Sequence, residues 1–492
     1  MADHLGVTDH SRVVSLSPSE VFDLANSLYE KEDFKIAAET YAELVGLQSS
    51  AREHEHSMLR LVQCYIALGD LKQAQIWADD AMAQPIPQAE PAYYMCKALR
   101  EKEEYGLAYH YYLLAARVPK PAPNDYFEEP VYDYLLEYEK SIMWYYVGAL
   151  SDRFTLRHGL ALCMRLLENP SLPSALANVV YNNLPVYAQA LRGEVTRLRG
   201  EKGHDDPWRF SSPTFVGNSV LIREVNYYAA EDGTYHVSGA NQVNTRLLVD
   251  GSNHFVTVQE SEDFQRRLLQ EDWHHPEAYV QGLEDTRVAV SHAPNTNATV
   301  VYTLSASMEY TRNMQHMNQV LGILDLDEWT LTIQGIISGP YGERTDKNWV
   351  FAEGLNQIIY HWYPSIEIGH IDIDKAELIL DRSLPSPRSF WEMRGSTNGV
   401  LYNEEWWFVT HMVKHRSGQR RLYTHRIVVL NRGLTAVTRY TLPFTFHSNA
   451  DIEYCLGLQV DAQGVTFGYS VRDHSSWTMK TDWCEITQLF SV

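Results

Sequence analysis

Gly282-Leu283-Glu284-Asp285-Thr286-Arg287-Val288-Ala289-Val290 sets two carboxylates and an arginine at the mouth of a short apolar run of strand length. Side chains alternate between the two faces of a strand, which predicts Glu284 on the face opposite Asp285 and Arg287 on the same face as Asp285. Asp285 and Arg287 are therefore expected to share one cavity.

The same theme recurs on both sides of this stretch: a polar opening, an apolar strand, a tight turn, and a second strand rich in Val and aromatics. It appears at residues 212–216 before 219–223, 285–291 before 299–302, 347–351 before 357–360, 394–397 before 406–409, and 452–458 before 465–468. The anchors Asp285, Lys347, Arg394 and Glu453 follow one another at steps suited to one four-stranded unit each. The step from Pro213 to Asp285 is longer than any of these, so the first unit carries an insertion, placed around residues 252–279. Five such units fit four-stranded blades arranged radially, because radial repetition leaves only short protected edges. Residues 205–492 are thus expected to form an all-β five-bladed propeller. Its first strands would line a central channel, where Arg223, Asn226, Arg246, Asp285, Arg287, Lys347, Asn348, Arg394 and Glu453 converge, with Asp473 as a further member. Arginines and a lysine beside a few carboxylates suit an anionic group bound next to a polyol, with a carboxylate to move a proton.

The chain before Arg199 differs in composition, rich in Ala, Leu and Glu at helical spacing. Ser17-Pro18-Ser19-Glu20 reads as a helix start, with Ser17 as N-cap and Glu20 three positions on. Paired amphipathic helices follow, and the alanines at their crossings are Ala37, Ala74 and Ala108. Their period, at or just above that of tetratricopeptide repeats, resembles those repeats. Residues 17–200 are read as such a helical solenoid, with a longer fourth pair at 131–168 and a capping helix from 174 to about 197. The fold class is therefore α+β multidomain, with the boundary at the polar stretch Arg199 to Trp208. A repeat array suits docking of a partner protein rather than catalysis.

A net charge of −22 without a basic cluster argues against nucleic acid as a partner. The five cysteines, Cys64, Cys96, Cys163, Cys455 and Cys484, lie among apolar neighbours without CxxC spacing and are read as buried free thiols. No leader-like start and no run of about 18 apolar residues is present, so a cytoplasmic chain without a membrane span is expected. Glu53, His54 and His56 before a helix are read as solvated, not as a metal site. His361, His411, His415 and His425 are read as core or channel-lining, and residues 414–421 as a solvated hairpin tip. Neither a metal nor a cofactor is expected.

Gly-Leu-Glu-Asp-Thr-Arg, Asp-Lys-Asn-Trp, Arg-Gly-Ser-Thr and Ile-Glu-Tyr-Cys-Leu-Gly-Leu together resemble the five-bladed propellers of glycoside phosphorylases acting on β-mannosides. β-Mannosyltransferases and furanosidase-like propellers are relatives. Repeats followed by such a propeller are also similar to regions of multidomain glycosyltransferases. The resemblance implies that Asp285 donates a proton to a glycosidic oxygen, although Thr286 stands where that family has proline. It implies that Arg246, Arg287, Lys347 and Arg394 hold an anion. Trp349, Tyr360 and Trp362 would stack on a sugar, and Glu284 and Glu453 are the other carboxylates in reach.

Two functions follow as expectations. One is an inverting glycosyl transfer or phosphorolysis on a sugar or sugar phosphate, with Asp285 as general acid, or as base if a sugar phosphate is the donor. The other is a non-catalytic glycan-binding adaptor that docks a protein through its repeats. A purely structural Asp285–Arg287 salt bridge between blades is the competing reading of the motif.

Overall fold

The computed structural model describes residues 16–47, 50–122, 127–148, 153–198, 208–237, 243–250, 255–257, 259–260, 280–292, 299–311, 314–342, 347–415, 420–447 and 451–490. Most of the expected insertion at 252–279, and the polar stretch 199–207, lie outside the described residues. The chain divides into two compact units, Met1–Asn183 and Leu184–Val492.

The first unit is helical. Ser17 caps Pro18–Glu30 as expected, its hydroxyl accepting from the Glu20 amide while the Glu20 carboxylate accepts from the Ser17 amide at 2.8 Å. Helix pairs follow: Pro18–Glu30 with Phe34–Val45, Ala51–Ala67 with Leu71–Met82, and Glu90–Glu101 with Tyr105–Ala115. A π-helical turn at Val131–Leu135 then runs into Leu136–Val147, and Arg153–Glu168 follows. The turns inside the first three pairs each place one residue in the left-handed region, Glu32, Gly69 and Glu103. Their spacing repeats that of Ala37, Ala74 and Ala108, which are all fully buried where the helices cross. A larger side chain there has no space to enter, and we expect Ala108→Leu to cost about 1–3 kcal/mol in urea denaturation. An unchanged midpoint would contradict the close crossing.

Glu53 is not part of a polar cluster; it completes a second capping box with Ser50. His56 packs its ring against Phe22 and takes a hydrogen bond from Arg60 Nε at 3.1 Å, and burial pushes its imidazole down to about 4. Among the described residues no group of three metal-ligating side chains occurs, and no helix is long and apolar enough to cross a membrane.

The second unit is built from sheets. Among the described residues, five of them follow in chain order, each containing four antiparallel strands. The first holds Arg209–Val216, Ser219–Val225, Val243–Asp250 and Phe255–Thr257; the second Glu284–His292, Thr299–Thr311, Met314–Asp325 and Thr330–Ile337. The third holds Val350–Phe351, Ile358–His361, Ser365–Asp372 and Glu377–Pro385; the fourth Arg394–Gly395, Glu405–His415, Arg421–Asn431 and Val437–Tyr440. In the fifth, Glu453–Asp461, Gly464–Val471 and Ser475–Asp482 are completed by Glu194–Leu198, a strand that precedes the first sheet. The expected capping helix therefore ends at Tyr187. Its continuation pairs instead with the last strand of the chain, a register that satisfies backbone groups no local turn could.

Apolar side chains join each sheet to the next. Val216 and Leu221 pack with Val288 and Val301; Leu304 and Leu321 with Trp349 and Ile358. Ile359 and Trp362 pack with Phe408 and Val428, and Val409 and Ile427 with Cys455 and Phe467. The fifth sheet meets the first through glycine: a Cβ on Gly457 would fall 2.8 Å from the Phe215 ring, and one on Gly468 2.9 Å from the Pro213 carbonyl. All five cysteines are free, four are buried, and Cys484 is exposed on the short helix Trp483–Leu489, contrary to expectation.

Candidate functional site

The second sheet opens on a bulge, not a regular strand. Its register against Thr299–Thr311 slips between Glu284 and Arg287, and Asp285 holds a φ of 50°. A bulge breaks side-chain alternation, so Glu284 and Asp285 do not face opposite ways. Both carboxylates meet Arg223, Glu284 at 2.8 Å and Asp285 at 3.4 Å. Arg223 also bonds the Tyr227 hydroxyl, and all four groups are buried. Burial works against the guanidinium charge, but Tyr227, Glu284 and Asp285 outweigh it and hold Arg223 charged.

Arg287 is fully buried and does not pair with the Asp285 carboxylate. Its Nε donates to the Ser396 carbonyl at 2.9 Å and one terminal nitrogen to the Asp285 carbonyl at 3.1 Å. The other donates to the Gly395 carbonyl at 3.4 Å and the Tyr454 hydroxyl at 2.7 Å. Tyr454 in turn donates to Asn348 Oδ1 at 3.3 Å. Arg287 is thus a strut joining the second, fourth and fifth sheets. Neither the salt-bridge reading nor the phosphate-holding role suits it, because its donors already serve protein acceptors. Gly395 lets the backbone at Asn348 come close, since a Cβ there would lie 2.4 Å from the Asn348 carbonyl.

Sequence reasoning passed over Ser211, Ser212 and Tyr235 on the other side of Asp285, though it counted Asp473 as a further member of the channel. Ser212, at a φ of 36°, donates from Oγ to Asp285 Oδ1 at 3.3 Å, and Ser211 donates to Asp473 Oδ1 at 3.2 Å. Tyr235 donates to Asp473 Oδ2 at 3.3 Å, and the Arg421 guanidinium lies 5.0 Å over the Tyr235 ring. Arg421 is accordingly half-buried beside the site, not at a solvated hairpin tip. The one signal for Asp473 was its polar Arg-Asp-His turn between two apolar strands.

Lys347 is half-exposed and Arg394 exposed, and neither forms an ion pair among the described residues. Their charges bear on His411, which bonds Ser396 Oγ at 2.7 Å through Nδ1. Burial first, then His425, Arg394, Arg287 and Lys347, hold its imidazole well below the usual histidine range. His411 is therefore a neutral ring inside a positive field. Arg223, Arg287, Lys347, Arg394 and Arg421 outnumber Glu284, Asp285 and Asp473 here, although the chain as a whole carries −22. The arrangement can bind an anion at its Lys347–Arg394 end and hydroxyl groups at its Asp285–Asp473 end.

Asn226 is buried beyond Val225, and Arg246 stands opposite Glu224 in backbone register. Glu453 is fully buried, accepts from the Phe446 and His447 amides at 2.8 and 2.7 Å, and is pushed by burial up to about 8. It braces the chain before its own strand and does not face Asp285. Trp349, Tyr360 and Trp362 are 1, 2 and 1 % exposed, so their faces belong to inter-sheet packing and none is open to a sugar. A separate cavity of about 370 Å³ is lined by the mixed charges of Arg192, Glu194, Lys480 and Glu485.

No family model matches the chain, and no curated protein matches it. Solved structures do. A glycosyl hydrolase from Bacteroides ovatus is 10 % identical over 56 % of this chain and 84 % of its own, with a TM-score of 0.34. A GDP-Man-dependent mannosyltransferase from Leishmania mexicana is 11 % identical over 62 % of this chain and 95 % of its own, with a TM-score of 0.40. TPR-like repeats of a Podospora anserina protein are 14 % identical over 35 % of this chain and 86 % of theirs, with a TM-score of 0.26. Likenesses of this size assign no activity to the chain.

Proposed function

We propose that the five sheets are the blades of a closed propeller, that the helix pairs are a tetratricopeptide-type solenoid, and that the propeller centre transfers a glycosyl group from a sugar phosphate donor. The observation that carries this reading is the pair Lys347 and Arg394, two cations without ion pairs among the described residues whose charges both bear on the buried His411. Lys347 and Arg394 hold the donor phosphate. Asp285 takes the proton of an acceptor hydroxyl as its oxygen attacks the anomeric carbon. The bond from that carbon to the phosphate oxygen breaks, and its electron pair leaves with the phosphate, where the two cations stabilise it. One displacement inverts the anomeric centre. Phosphorolysis, which the resemblance also implied, gains no support from the structures similar to this chain.

One observation favours the adaptor reading. Both carboxylates of the motif already pair with Arg223, so the site could retain a glycan without turning it over. Calorimetric titration with sugar 1-phosphates and nucleotide sugars tests the anion site directly. A lost charge-assisted contact weakens binding by about 10-fold or more, so Lys347→Ala and Arg394→Ala should each do so, with affinity falling as salt rises. Unchanged affinity in both variants would remove the site.

A further inference from the structure

Asp285 is buried, so a proton it takes from an acceptor needs a way out. Three hydrogen-bond links lead from it: Asp285 Oδ1 to Ser212 Oγ at 3.3 Å, Ser212 Oγ to Ser211 Oγ at 3.3 Å, and Ser211 Oγ to Asp473 Oδ1 at 3.2 Å. Asp473 is half-exposed and ends the chain toward solvent. Both serines are buried, and among the described residues their hydroxyls make no other side-chain hydrogen bond.

The protons do not fill the links. With both carboxylates ionised, two serine hydroxyls must serve three contacts, and each donates outward to its own carboxylate. No proton then lies between Ser211 and Ser212. One further proton, arriving on Asp285, completes the row: Asp285 donates to Ser212, Ser212 turns to donate to Ser211, and Ser211 donates to Asp473.

The backbone supports a functional reading of this row. Ser212, Asp285 and Asp473 each hold a left-handed φ, of 36, 50 and 53°, an unfavourable conformation for non-glycine residues. They come from three different sheets or turns and meet in one network. Strain gathered at one polar cluster points to function.

We infer that Asp285, Ser212, Ser211 and Asp473 form a proton wire, with Asp473 as a positioning residue that receives the proton Asp285 removes from the acceptor. The inference rests on the transfer reading above. When the proton reaches Asp285 it passes on to Ser212 as the Ser212 proton passes to Ser211 and the Ser211 proton to Asp473, which releases it to solvent. Asp285 is left ionised, both hydroxyls are restored, and no other reactant is required.

The test compares full-length Ser211→Ala, Ser211→Thr, Asp473→Asn and Asp285→Asn in an assay of phosphate or nucleotide release from the donor. Ser211→Ala and Asp473→Asn should lower kcat at least about 10-fold, less than the loss of the base itself, with KM within about twofold. Ser211→Thr keeps the hydroxyl and should keep the rate. Millimolar formate, a small proton acceptor, should restore Asp473→Asn but not Asp285→Asn. Ser211→Ala at the wild-type rate overturns the wire, and with Asp285→Asn slow it leaves the transfer reading standing. Absence of formate rescue in Asp473→Asn also overturns it. A wild-type protein that releases nothing overturns both.

Discussion

Asp285→Asn is expected to lower turnover by about 100- to 10,000-fold, the usual worth of one placed acid or base, while the protein melts at its normal temperature. Asparagine keeps the oxygen that accepts from Ser212 and Arg223, so the local hydrogen bonds survive. What disappears is the ability to hold a proton. Donor binding depends on Lys347 and Arg394 at the other end of the site, so KM should move little and the loss should fall on kcat. A variant that turns over at the normal rate would show that Asp285 is a structural partner of Arg223 and nothing more.

Arg287→Met should act oppositely, on stability. The guanidinium is fully buried and serves three backbone carbonyls and the Tyr454 hydroxyl across three sheets. Methionine fills similar space but leaves these acceptors dry, and each unsatisfied buried group costs about 1–3 kcal/mol. Relaxation recovers part of that, so a net loss of about 3–5 kcal/mol in urea denaturation is expected, comparable to breaking a buried charged contact. Lys347→Ala, which removes a half-exposed cation with no ion pair among the described residues, should stay within about 0.5 kcal/mol. Similar costs for the two would deny Arg287 its bracing role.

The difference between these two cations was not legible in the sequence. Both stand in polar openings at the start of a β unit, and the residue type says nothing about whether its donors meet carbonyls or solvent. The positions of the openings were legible, because turn residues and alternating apolar runs are local signals. So was the helical array, whose alanine spacing reports how closely paired helices cross, and whose Ser17–Glu20 cap is set by adjacent residues.

What failed were inferences needing a distant partner. The strand Glu194–Leu198 reads Glu-Val-Thr-Arg-Leu, with an alternation of its own, yet the helix before it suggested continuation. Only its pairing with Ser475–Asp482 makes it a strand. Alternation misplaced Glu284 because no residue type announces the bulge between Glu284 and Arg287. Trp349 and Trp362 have the composition of a sugar platform and the burial of a core. Asp473 was anticipated as a channel member, but not its link to Ser211, toward which two successive left-handed residues, Arg472 and Asp473, turn it.

The decisive measurement is nucleotide or phosphate release when the purified chain is incubated with nucleotide sugars or sugar 1-phosphates and mannoside acceptors. Transfer at the proposed site requires release that depends on acceptor, inverts the anomeric configuration, and disappears in Asp285→Asn. Ligand that binds in a Lys347- and Arg394-dependent way but is never turned over would instead make this chain a glycan-binding adaptor.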